Sequence, residues 1–454
     1  MKMEVEIIST ENIKPSSPTP QHLKFFKLSY LDQLIPIPYA PLILFYPINN
    51  PSSFSITTTT IVDIPSRVNL LKKSLSNILP DFYPLAGVIK DDCYIDCNDE
   101  GAHFIQARVN CHFKDFLTQP DLLSLNDFLP CGFTGKEPLA GTHVSYFQVN
   151  IFECGGMAIG ICISHKILDG AALSTFLKAW SATSRGCSEE AVHPNFFAYT
   201  SDLFIPATNV DSSPLLSSSL VKKGKCITKR FMFDATAIAA LKAQASCSSA
   251  KVPTRIEVVT ACIWKSAMAA SKARLGWQRP SLLCHLVNLR RRISSPVLAE
   301  NSIGNLLWIA AAEHNPNSKS DLHYLVGKLR EATSKIDSDF VKKLVGGERK
   351  PLITESLRDS RDGFDYFGFS SWCRLDFYGS DFGWGKPVWV SSIGLKGSVF
   401  TNIILLADTI TGDGVEAWVS LDEEDMAILQ RDPELLSFAL LDPSPLVMDS
   451  RVQC

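Results

Sequence analysis

A mixed α and β fold divided into two domains follows from three observations. Segments of alternating apolar residues are interleaved with segments of helical apolar spacing. The 454 residues exceed what one ordinary hydrophobic core holds. The pattern also dissolves once, into Pro, Ser, Asn and Asp between Ala191 and Gly224. The expected organisation is a first domain over 1–190, a crossover over 191–224 and a second domain over 225–454.

In chain order, Phe147 to Glu153 and Met157 to Ile163 flank the short connection Cys154-Gly155-Gly156, which predicts an antiparallel hairpin. Alternation on its second strand sets Met157, Ile159, Ile161 and Ile163 on one face and Ala158, Gly160 and Cys162 on the other. The small-residue face admits a neighbouring element closely, and its geometry suits the wall of a site. Leu173, Phe176, Leu177 and Trp180 then recur at helical spacing, with Arg185-Gly186 as a stop. After the crossover come a strand at Arg230 to Phe233 and a helix through Arg255 to Met268. Strands follow at Leu282 to Leu289, Pro387 to Ser391 and Val415 to Ser420, and Gly346 to Lys350 reads as a surface loop.

Composition excludes several function classes. Forty-four Lys plus Arg against forty-seven Asp plus Glu leave a net charge of -3 with no basic block, so no nucleic-acid partner is expected. The N-terminus carries neither the apolar core of a secretory signal nor the basic, acid-poor character of a transit peptide. Apolar runs such as Ala40 to Tyr46 fall far short of a bilayer span, so no membrane partner is expected either. Thirteen cysteines, mostly isolated in apolar segments, read as small core residues of a reducing, cytoplasmic protein. Cys93 and Cys97 have no second pair at zinc-ligand distance, so no metal site is expected.

The chemistry-bearing stretch is Ser164-His165-Lys166-Ile167-Leu168-Asp169-Gly170. It sets an imidazole at a strand end with a carboxylate four residues on, just before a helix. Histidine, with an ordinary pKa of about 6.5, can take and return a proton near neutrality, which makes His165 a candidate general base. Asp169 fits an N-cap as well as a functional carboxylate. Gly368-Phe369-Ser370-Ser371-Trp372 departs from a nucleophile elbow by having Trp at the second glycine. There is no Walker loop and no G-x-G-x-x-G, which counts against nucleotide hydrolysis and classical dinucleotide binding.

His165-Lys166-Ile167-Leu168-Asp169-Gly170 and Asp381-Phe382-Gly383-Trp384-Gly385, in that order, resemble the H-x-x-x-D-G and D-F-G-W-G signatures of the plant BAHD acyltransferases. The resemblance covers nearly the whole chain and is similar in wording to the alkaloid acetyltransferase branch. It includes Leu28-Ser29-Tyr30-Leu31-Asp32-Gln33, Phe82-Tyr83-Pro84-Leu85-Ala86-Gly87 and Val287-Asn288-Leu289-Arg290. Val88 departs from the arginine usual after the second of these segments.

That resemblance implies two chloramphenicol-acetyltransferase-like domains with a solvent channel between them and His165 at its centre. Asp169 then turns away from the substrate to pair with Arg290, and Asp381 supports architecture. Thr254, Asn305, Ser371 and Trp372 occupy positions that line the CoA channel in similar proteins; ordinary packing or capping is the alternative for each. The implied activity is acyl transfer from an acyl-CoA co-substrate, expected to be acetyl-CoA, to a hydroxyl of a small alkaloid or terpenoid acceptor. No permanently bound cofactor is expected, and a monomer is. An idle scaffold, or a lyase or hydrolase using the same pocket, stands as the alternative.

Overall fold

The structure is a computed structural model describing residues 3–35, 39–48, 63–90, 93–130, 142–196, 203–205, 222–246, 251–293, 298–347, 363–395, 399–400 and 402–448. Two large sheets organise these residues. The first runs in the order Val5–Ile13, Ala102–Val109, Ser145–Phe152, Met157–Ser164, Tyr39–Tyr46, Trp389–Ser391. The second runs Leu307–His314, Ser281–Asn288, Asp365–Ser371, Ile403–Asp408, Val415–Asp422, Cys226–Phe233, Leu440–Leu441. Both mix parallel and antiparallel pairs, so the fold is mixed α and β as the interleaved periodicities predict.

The hairpin Ser145–Phe152 and Met157–Ser164 pairs antiparallel, with Val149 opposite Ile159. Met157, Ile159, Ile161 and Ile163 face a core shared with the helices Ile64–Ile78 and Gly170–Ser184. Leu173, Phe176, Leu177 and Trp180 of the second helix are all buried there, and each such apolar side chain contributes about 1.5–3 kcal/mol on leaving water. The Trp180 indole N–H donates to Ser74 Oγ at 3.0 Å, so the ring is buried without an orphaned donor.

Ala158 and Cys162, on the opposite face, join a second cluster with Phe45, Phe128, Trp389 and Trp418. A Cβ on Gly160 would lie 2.1 Å from the Phe128 carbonyl oxygen. The small residues therefore admit the turn Ser124–Phe128, not a ligand, which corrects the expectation of a site wall. The same cluster joins the two sheets, since Trp418 belongs to the second.

A third core lies under the helices Arg255–Leu275, Ala235–Ala245 and Leu322–Ser334 on the second sheet. Two segments cross between the bodies. Tyr30, Leu31 and Leu34, around the short helix Tyr30–Gln33, are buried in the core of the second sheet. Trp389–Ser391 pairs antiparallel with Tyr39–Tyr46 at the edge of the first. Of the crossover at 191–224, only 191–196, 203–205 and 222–224 are described; the remainder, like 348–350 of the loop at Gly346, lies outside the described residues.

Candidate active site

His165 follows directly on the strand Met157–Ser164 and is half-buried. Its Nδ1 lies 3.0 Å from Asn305 Oδ1. The Asn305 Nδ2 donates to the His165 carbonyl at 2.7 Å and to Asp32 Oδ1 at 2.9 Å. Both of those partners are acceptors only, since Asp32 is a carboxylate, so the amide oxygen must be the atom turned toward the imidazole. Nδ1 then carries the ring proton, and Nε2 is left with its lone pair.

Asp32 is wholly buried and is held from both sides. It accepts from Ser29 N at 2.9 Å and Ser29 Oγ at 2.5 Å within the helix-capping box, and from Asn305 N at 2.9 Å. A carboxylate with this many donors is fixed in place, and it fixes Asn305 in turn. Ser29-x-x-Asp32 is a capping signal visible in sequence, but nothing local in it points to Asn305, 273 positions away.

Asp169 faces away from this chain of contacts. Its carboxylate receives Arg290 Nη1 at 2.7 Å and Nη2 at 3.0 Å, a bidentate pair whose two side chains are both 0% exposed. It also caps the helix Gly170–Ser184 by accepting from Ala172 N at 2.9 Å, and takes Leu306 N at 3.1 Å. Arg290 completes its donors on the carbonyls of Ser302 at 2.8 Å and Gly304 at 3.2 Å. Oδ1 thus carries both the helix cap and one Arg290 bond, while Oδ2 carries the other Arg290 bond and Leu306 N. Together with the Leu168–Gly304 bridge, these bonds tie the 165–169 turn to 302–306.

The Asp381 carboxylate accepts from Gly383 N at 2.8 Å and Gly385 N at 2.9 Å, closing its own loop. Both glycines have positive φ, 110° and 103°, where a side chain would be strained. Phe382 is wholly buried 4.8 Å from the Trp180 ring, and Ser184 Oγ donates to its carbonyl. The loop therefore docks on the helix that follows His165 and delivers Trp389–Ser391 to the first sheet.

Three of the four residues expected along a CoA channel gather in one corner, and Asn305 stands apart at the imidazole. Thr254 caps the helix Arg255–Leu275, its hydroxyl accepting from Glu257 N at 3.2 Å. The next residue, Arg255, pairs with Asp408. Ser371 ends the strand Asp365–Ser371, so Ser370 lies within a strand and not on the strand-to-helix turn that a nucleophile elbow needs. Trp372 anchors its backbone N–H on Leu406 O at 2.7 Å, and a Cβ on Gly170 would lie 3.5 Å from its indole. A cleft of about 290 Å³ is lined by Trp372, Asp376, Tyr378, Lys386, Asp408 and Gly412 among others, and His165 is not on its wall.

Burial sets the titration of groups around this corner. It pushes the Cys373 thiol up to about 12, with the nearby Asp408 carboxylate adding to the rise. It also holds the Tyr378 phenol well above its usual range, with Glu416 adding to the effect. Both stay protonated at neutral pH and offer no base. Among the described residues no group of three His, Cys, Asp or Glu side chains could hold a metal ion.

A half-buried imidazole with its Nδ1 on Asn305, set on a doubly anchored turn, is chemically able to take and return a proton. A family profile described as "Transferase family" matches residues 3–436. The chain belongs to this family, the BAHD acyltransferases, and is an acyltransferase. It is 45% identical to a limonoid 7-O-acetyltransferase of Citrus sinensis and 43% identical to an epi-neemfruitin B 7-O-acetyltransferase of Melia azedarach. Each alignment covers 98% of this chain and all of the relative. The crystal structure of vinorine synthase superposes with a TM-score of 0.80 at 37% identity, over 96% of this chain and 98% of that one.

Proposed function

We propose that this chain transfers an acetyl group from acetyl-CoA to a hydroxyl of a polycyclic specialised metabolite, with His165 as general base. One observation carries the mechanism: the Asn305 amide, polarised by Asp32, leaves His165 Nε2 as the free acceptor. Nε2 takes the proton of the acceptor hydroxyl, and the oxygen attacks the thioester carbonyl. The tetrahedral species collapses to the ester and expels the CoA thiolate, which recovers the proton from the imidazolium. No covalent enzyme intermediate is required, and holding both substrates against one base supplies proximity.

In this reading Asp169, Arg290 and Asp381 are structural, since their polar atoms are taken up by one another and by backbone. Thr254, Ser371 and Trp372 stand toward the donor. The acceptor proposed is a limonoid-type terpenoid alcohol ahead of an alkaloid, because the relative at 45% identity is named for a limonoid acceptor and vinorine synthase stands at 38%. The enzyme is proposed to work as a cytosolic monomer.

An acceptor screen with acetyl-CoA, read by product mass and by free-thiol release, tests this. The expected result is an acetylated acceptor from the wild type and none from His165→Ala, a loss of about a hundred- to ten-thousandfold in rate. Near-wild-type turnover in His165→Ala overturns the mechanism. Thiol release without an acetylated acceptor marks a hydrolase, and no consumption of acetyl-CoA with any acceptor marks an idle scaffold.

A further inference from the structure

Two half-buried thiols come together at the edge of the first core, at the end of the strand Met157–Ser164 opposite to His165. The strands Ala102–Val109 and Ser145–Phe152 run parallel, with Val109 opposite Phe152. Side chains alternate faces along a strand, so the positions two residues further on, Cys111 and Cys154, return to the same face. The two chains stay adjacent past the strand ends, because Glu153 N donates to the Cys111 carbonyl at 3.2 Å. Both cysteines pack against the cluster that holds Val109 and Phe152.

The turn that carries Cys154 is also held against the chain that carries Cys111. Phe113 N donates to Cys154 Sγ at 3.4 Å. Gly155 takes a φ of +86°, and a Cβ on Gly156 would lie 2.8 Å from the Phe113 ring, so the hairpin turn closes down on the residues just after Cys111. Neighbouring strands lie about 4.8 Å apart, inside the range of about 4.4–6.8 Å that separates the Cα atoms of a disulfide. Burial, with Glu153 and Asp115 adding to it, holds the Cys111 thiol above its usual range. Its proton is the harder one to remove, so Cys154, whose sulfur already accepts an N–H, attacks first.

We propose that Cys111 and Cys154 form a redox-modification site, closed to a disulfide by hydrogen peroxide and reopened by two equivalents of a small thiol such as glutathione. Cys154 gives up its proton and its sulfur attacks a peroxide oxygen; the O–O bond breaks, the sulfur becomes a sulfenic acid and water leaves. The Cys111 sulfur then attacks the Cys154 sulfur, the S–O bond breaks and a second water leaves. Two thiols have lost two electrons and one peroxide has gained them. Partial exposure of both cysteines admits a molecule as small as peroxide. The new bond joins the start of the helix Phe113–Thr118 to the hairpin turn and closes a loop of about 40 residues. It acts on stability, because the imidazole stands at the other end of the strand Met157–Ser164.

The test is non-reducing peptide mapping by mass on the full chain, treated with dilute hydrogen peroxide at low protein concentration and then alkylated. Wild type is compared with Cys111→Ser and Cys154→Ser, and alanine replaces serine at either position if the serine variant fails to fold. The expected result in wild type is a linked pair of peptides carrying Cys111 and Cys154, about 2 Da lighter than the two thiol peptides together and separated by dithiothreitol. Peroxide should also raise the urea midpoint of wild type by about 1 M and leave that of both variants unmoved. Oxidation of the exposed Cys93 while Cys111 and Cys154 still alkylate as free thiols overturns the inference. Cys154 linked to a cysteine other than Cys111 overturns it too, as does an equal rise in midpoint in the Cys111 variant.

Discussion

Replacing Asp169 separates the architecture of the site from its chemistry. The carboxylate holds four donors: two from Arg290 at 2.7 and 3.0 Å, Ala172 N at 2.9 Å and Leu306 N at 3.1 Å. Asp169→Asn leaves the Arg290 guanidinium as an uncompensated charge with 0% exposure, which costs about 3–5 kcal/mol. An asparagine oxygen can still cap the helix Gly170–Ser184, whereas alanine cannot. Asp169→Ala therefore costs about 1 kcal/mol more. With a urea dependence of about 3 kcal/mol per molar or somewhat steeper, the asparagine variant should unfold about 1 M earlier than wild type, and the alanine variant earlier again.

The assay is urea unfolding followed by fluorescence on wild type, Asp169→Asn, Asp169→Ala and His165→Gln, with acetyl transfer measured on the folded fraction of each. Among the described residues the His165 side chain hydrogen-bonds only to Asn305, so His165→Gln should lose its rate with an almost unmoved midpoint. An unshifted midpoint in Asp169→Ala would refute the account of Asp169 as structural. So would a loss of rate in Asp169→Asn equal to that of His165→Gln at full folding.

Three further outcomes are expected. Asp32→Asn frees the Asn305 amide to turn its NH2 toward His165, so the imidazole proton moves to Nε2; kcat should fall about 10²–10⁴-fold, well beyond any loss of stability. Gly160→Ala forces a methyl to within 2.1 Å of the Phe128 carbonyl, and a lowered thermal midpoint should report the displaced turn. For pH, burial lowers the His314 pKa below its ordinary 6.5, so stability present above that pH is lost as pH falls and the unfolded chain takes up the proton first. At the alkaline end, burial pushes the Cys97 and Cys262 thiols up to about 12 from 9.0, so their contribution is lost as pH rises from 9 toward 12. Urea midpoints measured from pH 5 to 10.5 should therefore decline at both ends.

Much of the local structure was legible in the sequence. Apolar spacing at Leu173, Phe176, Leu177 and Trp180 is a property of consecutive residues, and the helix Gly170–Ser184 buries all four. Alternation through Met157 to Ile163 likewise assigns each side chain its face, and Asp169-Gly170 marks a helix start that the structure caps as read. Histidine at the end of that strand already singled out the candidate base. The small face of the strand was legible as a surface for close approach, but what approaches it was not. Phe128 arrives there from the next layer, and no periodicity encodes its arrival.

The sequence by itself determined the helices and strands, their buried faces and the histidine with proton chemistry, because these depend on side chains a few positions apart. Tertiary structure alone decided which nitrogen of His165 is free. That depends on Asn305, 140 positions away, and on Asp32, which reaches it from a helix buried in the core of the second sheet. It also decided that Trp389–Ser391 completes the first sheet. Such contacts between distant segments leave no spacing in the chain, so only the packed fold brings them together.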